Sequence, residues 1–71
     1  MPKLPRVSGA EAVRALVRLG FTQARQKGSH VVLRRGSVGC VVPLHSELKI
    51  GTLASVLHQA QVTPEEFIGA L

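Results

Sequence analysis

The spacing of apolar residues changes twice along this chain, and that change restricts the fold more than any other feature. Apolar and small residues recur at helical spacing from Val13 to Gly20, whereas residues 30–35 and 40–43 are rich in β-branched residues. Helical spacing returns from Leu53 to Ala60. Within 71 residues we therefore predict one α+β domain spanning residues 1–71, with residues 1–6 as an extended N-terminal segment.

Two capping boxes mark helix starts. Ser8 and Glu11 form the first pair, and Thr63 and Glu66 form the second, with Pro64 at the first helical position of the last helix. Gly20 is expected to end the first helix, and the second is expected to begin near Gly51 or Thr52. The side chains predicted to face the core from the three helices are Val13, Leu16 and Val17, then Leu53, Val56, Leu57 and Ala60, then Phe67, Ile68 and Leu71.

Three strands are predicted between these helices. They are residues 21–25, 30–35 and 40–43, connected by turns at residues 26–29 and 36–39. Such short connections favour an antiparallel meander with the helices covering its one apolar face, which is the α-β-β-β-α order plus a short C-terminal helix. The first strand is polar enough to lie at an edge, and Pro43 should end the third.

The positive charge is concentrated in the first half of the chain. Nine Lys and Arg residues against four Glu give a net charge of +5. Through Gly36 there are eight basic residues and one acidic residue, a balance of +7, and the remainder carries −2. A basic half suggests a polyanionic partner, with nucleic acid first and an acidic protein second, although a merely solubilising surface stays open.

Three further features bear on the cellular compartment of the protein. The single cysteine cannot form an internal disulfide, which favours a reducing cytoplasm. No apolar run has the length of about 18 residues needed to span a bilayer, and the N-terminus does not read as a signal peptide, so we expect no membrane association.

Several classes of chemistry lack the residues they need. There is no Asp, and the four Glu show no paired spacing, which argues against carboxylate-based hydrolysis and two-metal nucleases. The histidines and Cys40 match no zinc-site spacing, so we expect neither metal nor cofactor. Both aromatic residues, Phe21 and Phe67, fit core positions and leave no base-stacking platform.

The remaining candidate for catalysis is a histidine close to several cationic residues. His30 follows Arg25, Lys27, Gly28 and Ser29 at the start of a strand. RNA is cleaved when a base removes the 2′-OH proton and that oxygen attacks the adjacent phosphorus. Imidazole titrates close to neutrality, the cations can offset the phosphorane charge, and turn amides can hold the phosphate. The alternative is a histidine that only hydrogen-bonds the turn.

Other polar residues are assigned by electrostatics or left open. Arg34 and Arg35 are candidate RNA contacts. His45 is either a second acid/base group or an ordinary loop residue, and His58 is expected on the solvent-exposed surface of the second helix.

The chain resembles the HicA toxins from about Val7 to Leu71. The matching segments are Leu19-Gly20-Phe21, Gly28-Ser29-His30, Val42-Pro43-Leu44-His45, Glu47-Leu48-Lys49, Gly51-Thr52-Leu53 and Glu65-Glu66-Phe67. Two positions differ from the residues usual in this family. Val31 stands where many relatives have a polar or aromatic residue, and Gln61 stands where glycine is frequent near the end of the second helix.

The resemblance implies a double-stranded-RNA-binding-domain-like fold and an mRNA-cleaving toxin of a type II toxin–antitoxin system. It implies that His30 is catalytic, that Gly28 and Ser29 present it, and that a HicB-type antitoxin blocks access to it. Two rival functions remain: a non-catalytic RNA-binding module of the same fold, and an interaction protein whose positive face binds an acidic partner.

Overall fold

A computed structural model describes residues 3–71. It contains three helices and three strands in the predicted α+β order. In chain order they are α1 (Gly9–Arg18), β1 (Thr22–Lys27), β2 (His30–Arg35), β3 (Val38–Pro43), α2 (Ile50–Ala60) and α3 (Pro64–Ala70). No helix within residues 3–71 is long and apolar enough to cross a membrane.

Helix α1 begins at the predicted capping box. The Ser8 N–H donates to Glu11 Oε1 at 2.8 Å, and the Glu11 N–H donates to Ser8 Oγ at 3.1 Å. The helix ends before Gly20, which has a φ of 98° and so takes a conformation that favours glycine. The inward position predicted for Val17 is wrong, because this side chain is 47% exposed.

The rotation of α1 explains that error. Gly9 and Ala12 are buried along with Ala15 and Leu16, so the helix turns its small residues towards the sheet. A Cβ on Gly9 would collide with the Pro43 carbonyl and lie 2.7 Å from the Leu44 Cα. This close approach to backbone holds the helix in one rotation and leaves Val17 outside the packed face.

The three strands form an antiparallel sheet in the order β1-β2-β3, as predicted. Strand β2 has its predicted bounds, whereas β1 starts one residue later and ends two residues later than expected, and β3 starts two residues earlier. Both connections are therefore two-residue Gly-Ser turns. Gly28 and Gly36 have φ values of 59° and 61° and the following serines do not, which is the pattern of type II′ hairpin turns.

The C-terminal part forms the second half of the helical layer. Helix α2 begins at Ile50, one residue before the predicted start, and all four of its predicted core residues are buried. Its last residue is Ala60, and the C-cap residue Gln61 takes the left-handed conformation with a φ of 56°. The second capping box caps α3 as predicted, but Ile68 and Leu71 are 37% and 48% exposed, so only Phe67 of the three expected residues is buried.

One hydrophobic core lies between the sheet and the helices. Its largest fully buried side chains are Phe67, Leu16, Leu33, Leu48 and Leu53. Phe21 is buried as predicted, and Cys40 packs among the apolar side chains, where desolvation raises its thiol pKa to about 11. A short α3 with only one buried residue adds little to this core beyond Phe67.

The N-terminal segment was predicted to be extended over residues 1–6, and residues 1 and 2 lie outside the described residues. Residues 3–6 form neither helix nor strand, and Leu4 packs partly against the core. Arg6 pairs with Glu47 at 3.5 Å across two exposed side chains, a kind of contact that contributes little stability.

Candidate nucleic-acid interface and catalytic histidine

The sheet has one covered face and one open face. In β2 the side chains alternate, so that Val31 and Leu33 are buried under the helices while His30 and Arg34 are exposed. Residues directly opposite each other in an antiparallel pair share a face. The strand register therefore determines which side chains accompany His30 on the open face.

His30 is the first residue of β2 and lies between two partner residues. Lys27 is directly opposite it in β1, and Pro43 is directly opposite it in β3. Arg25 pairs with Val32, the next residue of β2 on the open face. Lys27 and Arg25 thus follow one another along the edge strand beside the histidine.

Arg34 extends this row along β2. It is exposed and faces the same side as His30, four residues further along the strand. We call the exposed side chains of Arg25, Lys27, His30 and Arg34 the open cationic face. The structure brings these four predicted site residues together on one surface.

In the turn before His30, the backbone carbonyls accept hydrogen bonds from other residues, whereas the backbone amides donate none within residues 3–71. The Gln26 Nε2 donates to the Gly28 carbonyl at 3.1 Å, and the Leu44 N–H donates to the Ser29 carbonyl at 2.6 Å. Within residues 3–71 no protein atom accepts a hydrogen bond from the amides of Gly28 or Ser29. These two N–H groups are therefore available to an anion, the role predicted for them.

The charge of the open cationic face is not neutralised by carboxylates of the described chain. Among residues 3–71 the only ion pair is that between Arg6 and Glu47. Glu11 and Glu66 accept hydrogen bonds in their capping boxes, at the starts of α1 and α3. The positive potential of the face is therefore directed towards solvent, where a polyanion can respond to it.

Arg35 lies on the opposite side of the sheet from Arg34. It is half-buried, its Nη1 donates to the Leu19 carbonyl at 2.8 Å, and its guanidinium carbon lies 4.6 Å from the centre of the Phe21 ring. These contacts tie the end of α1 to β2. The predicted RNA contact by Arg35 stays a prediction, and the structure adds a packing role for this residue.

The other histidines occupy different parts of the fold. His45 is exposed in the segment between β3 and α2, and its carbonyl accepts from the Gly9 N–H at 2.9 Å. His58 is exposed on α2, as predicted. Across the described residues no three His, Cys, Asp or Glu side chains converge as a metal-binding group.

The sequence did not reveal which two residues donate hydrogen bonds to the carbonyls of this turn. Leu44 reaches the Ser29 carbonyl through its backbone, and Gln26 reaches the Gly28 carbonyl through its side chain. A backbone donor leaves no residue-type signal in a sequence. Gln26 was predicted to be part of the turn, so its position in β1 was not anticipated.

Together, the fold and the site define a small α+β protein with a histidine on an open cationic sheet face. A family model described as the HicA toxin of bacterial toxin–antitoxin matches residues 9–62. The chain belongs to this family and is a toxin of the toxin–antitoxin class. Among curated proteins, none is similar enough to match the chain.

Proposed function

We propose that this toxin is a metal-independent endoribonuclease that cleaves mRNA in the cytoplasm and thereby arrests translation and growth. The observation that carries the proposal is the exposed His30 on a face with Arg25, Lys27 and Arg34, none of them paired with a carboxylate among residues 3–71. Membership of the toxin family supports a harmful activity that an antitoxin must restrain.

His30 acts on the ribose 2′-hydroxyl. Its imidazole removes the proton, the oxygen attacks the adjacent phosphorus, and the bond from phosphorus to the 5′-oxygen breaks. The 5′-oxygen takes up a proton from an acid or from water as it leaves, so the products are a 2′,3′-cyclic phosphate and a 5′-hydroxyl end. Because His30 is exposed at the edge of a hairpin turn, single-stranded RNA can reach it without opening the fold.

The surrounding groups stabilise charge at phosphorus. Lys27 lies directly across from His30, and Arg25 and Arg34 extend the positive field along the backbone of the RNA. The free amides of Gly28 and Ser29 supply hydrogen bonds to the phosphate oxygens. Such preoriented donors lower the barrier most where negative charge accumulates in the transition state.

A HicB-type antitoxin is the proposed protein partner. An acidic surface on that protein would be attracted to the open cationic face and would cover His30, so that one surface serves both RNA and antitoxin. Arg25 and Lys27 lie on the edge strand β1 and are accessible to either partner.

The test is cleavage of a defined mRNA in EDTA by the purified chain and by His30→Ala. We expect wild-type cleavage and a loss of activity on the order of 10²- to 10⁴-fold in the variant, since His30 is the proton acceptor. His58→Ala is the matched control, because His58 is also exposed but lies on α2. Circular dichroism and the unfolding midpoint establish that all three proteins are folded.

Three results would reject the proposal. Equal cleavage by wild type and His30→Ala would remove the histidine mechanism. Binding of RNA without cleavage by folded wild type would instead identify a non-catalytic RNA-binding module. Cleavage that requires a divalent cation would contradict the metal-independent chemistry.

A further inference from the structure

One further backbone hydrogen bond joins the segments of β2 and β3 beyond the end of β3. His30 lies opposite Pro43, and Val31 lies opposite Val42. One residue beyond this pairing, the Leu44 N–H donates to the Ser29 carbonyl at 2.6 Å. The chain after Pro43 therefore still runs alongside the turn that precedes His30.

The alternation of side chains also continues. Val42 is buried under the helices, Pro43 is on the side of His30, and Leu44 is again half-buried against the core. The half-buried Leu44 indicates that the alternation extends past β3, and from this we infer that the exposed His45 lies on the side of His30. Counted along this alternation, His45 would be the diagonal neighbour of His30, a relation that in a regular ladder separates Cα atoms by about 7–8 Å.

The backbone of His45 is firmly held although its side chain is exposed. Its carbonyl accepts from the Gly9 N–H at 2.9 Å, and Gly9 itself packs directly on the Pro43–Leu44 backbone. A little further on, the Leu48 N–H donates to the Val7 carbonyl at 2.8 Å. The first turn of α1 therefore fixes the segment that carries His45 beside the segment that carries His30.

We propose that His45 is the general acid of the reaction, an inference that rests on the proposed ribonuclease function. Neutral His30 accepts the 2′-hydroxyl proton while the new bond from the 2′-oxygen to phosphorus forms. Protonated His45 donates its proton to the 5′-oxygen as the bond from that oxygen to phosphorus breaks. One proton is taken up and one is released, so the step is balanced without another reactant.

A proton donor is needed because the 5′-oxygen of ribose is a poor leaving group as an alkoxide. Proton donation in the transition state removes that penalty. His45 directly follows Leu44, whose N–H is bonded to the Ser29 carbonyl, whereas His58 belongs to α2 in the helical layer on the other side of the sheet. Lys27 contributes charge on the β1 side of His30, opposite to the β3 side from which His45 approaches.

The test compares two leaving groups at one cleavage site. Wild-type cleavage of natural RNA first locates the site, and an oligonucleotide is then made with sulfur replacing its bridging 5′-oxygen. A thiolate leaves without protonation, so the sulfur substrate does not need the acid. His45→Ala and His45→Gln should lose on the order of 10²- to 10⁴-fold on the natural substrate and retain near wild-type rates on the sulfur substrate.

The control variants separate this inference from the proposed function. His30→Ala should be slow on both substrates, and His58→Ala should match wild type on both. If His45→Ala cleaves natural RNA at the wild-type rate, or is slowed equally on both substrates, His45 is not the general acid, although His30-dependent cleavage still supports the ribonuclease. If wild type cleaves neither substrate, both proposals fail together.

Discussion

At the scale of single residues, Gly9 shows how one missing side chain positions two parts of the site. Its backbone lies against Pro43 and Leu44, and its N–H holds the His45 carbonyl. The contacting atoms belong to backbone, which cannot move aside as the end of a flexible side chain can. The size of this residue therefore affects both the packing of α1 and the segment beside His30.

Gly9→Ala should lower the free energy of unfolding by about 1–3 kcal/mol or more, because the added methyl group overpacks a contact with backbone. Gly51→Ala is the control: Gly51 also lies in the first turn of a helix, but a Cβ there has nothing within 4 Å. That variant should be neutral or more stable by up to about 1 kcal/mol. Urea unfolding measures both, and equal stability of the two variants would contradict the close approach.

Arg34 and Arg35 are adjacent in sequence but have different surroundings. Arg35→Ala should cost about 1–3 kcal/mol of unfolding free energy, since it removes a charged hydrogen bond to the Leu19 carbonyl and the contact with the Phe21 ring. Arg34→Ala should change stability by less than about 0.5 kcal/mol and weaken RNA binding instead. Paired unfolding and RNA titrations test this, and a reversed pattern would exchange the two roles.

At the scale of secondary-structure elements, two capping boxes link helix stability to pH. The pKa of Glu11 is lowered chiefly by the hydrogen bond from the Ser8 backbone and then by the Ser8 hydroxyl. The pKa of Glu66 is lowered in the same way by Thr63. A lowered pKa in the folded state means that the contribution is present above 4.5, the usual value, and is lost as the pH falls through the folded-state pKa.

Replacing both carboxylates by amides keeps a hydrogen-bond acceptor and removes the titration. The double variant Glu11→Gln, Glu66→Gln should therefore lose less stability than wild type as the pH falls from about 6 to about 3. Urea midpoints across that range measure the difference. Glu65→Gln is the control, because Glu65 is exposed and takes no part in the capping box. Parallel pH curves for wild type and the double variant would exclude the capping boxes as the source.

The elements also show why some boundaries were predicted better than others. Strand β2 alternates buried and exposed residues, so its apolar pattern revealed its bounds. Strand β1 is exposed at all six positions, and it is a strand because it pairs with β2. Its own side chains carry no alternation, which explains why the predicted strand stopped at Arg25 instead of Lys27.

At the scale of the whole molecule, the separation of the two faces of the sheet organises function. One face carries the core and the helices, and the other carries the open cationic face. Stability and recognition are thus assigned to opposite sides of one thin sheet. Under the proposed function, we expect substitutions on the open face to alter RNA or antitoxin binding with little effect on the core.

RNA binding should weaken with salt because contacts with phosphate release counterions. Three contacts, from Arg25, Lys27 and Arg34, predict a slope of log affinity against log salt of about −2 for single-stranded RNA. Lys27→Ala should reduce the size of this slope by about 0.7. Arg14→Ala is the control, because Arg14 is exposed on α1 in the helical layer. The affinities are measured in the His30→Ala background, so that RNA cleavage does not obscure the result. An affinity that does not depend on salt would contradict the cationic-face interpretation.

The features that could be predicted from the sequence are those that depend on neighbouring residues. Both capping boxes, the glycine turns, the element order and the position of His30 at the start of a strand follow from interactions across three or four residues. The resemblance to the HicA toxins was carried by short segments in order, and the family match confirms it. Such features need no knowledge of which distant segments meet.

The tertiary structure decided what depends on contacts between distant segments. The rotation of α1 on Pro43 and Leu44 left Val17 exposed, and the packing of the sheet put Arg34 in solvent and Arg35 against Phe21. Strand alternation predicts opposite sides for these two arginines, but only the packed helices define which side is the interior. The hydrogen bond from the Leu44 N–H to the Ser29 carbonyl, just before His45 in the chain, likewise exists only when β2 and β3 pair.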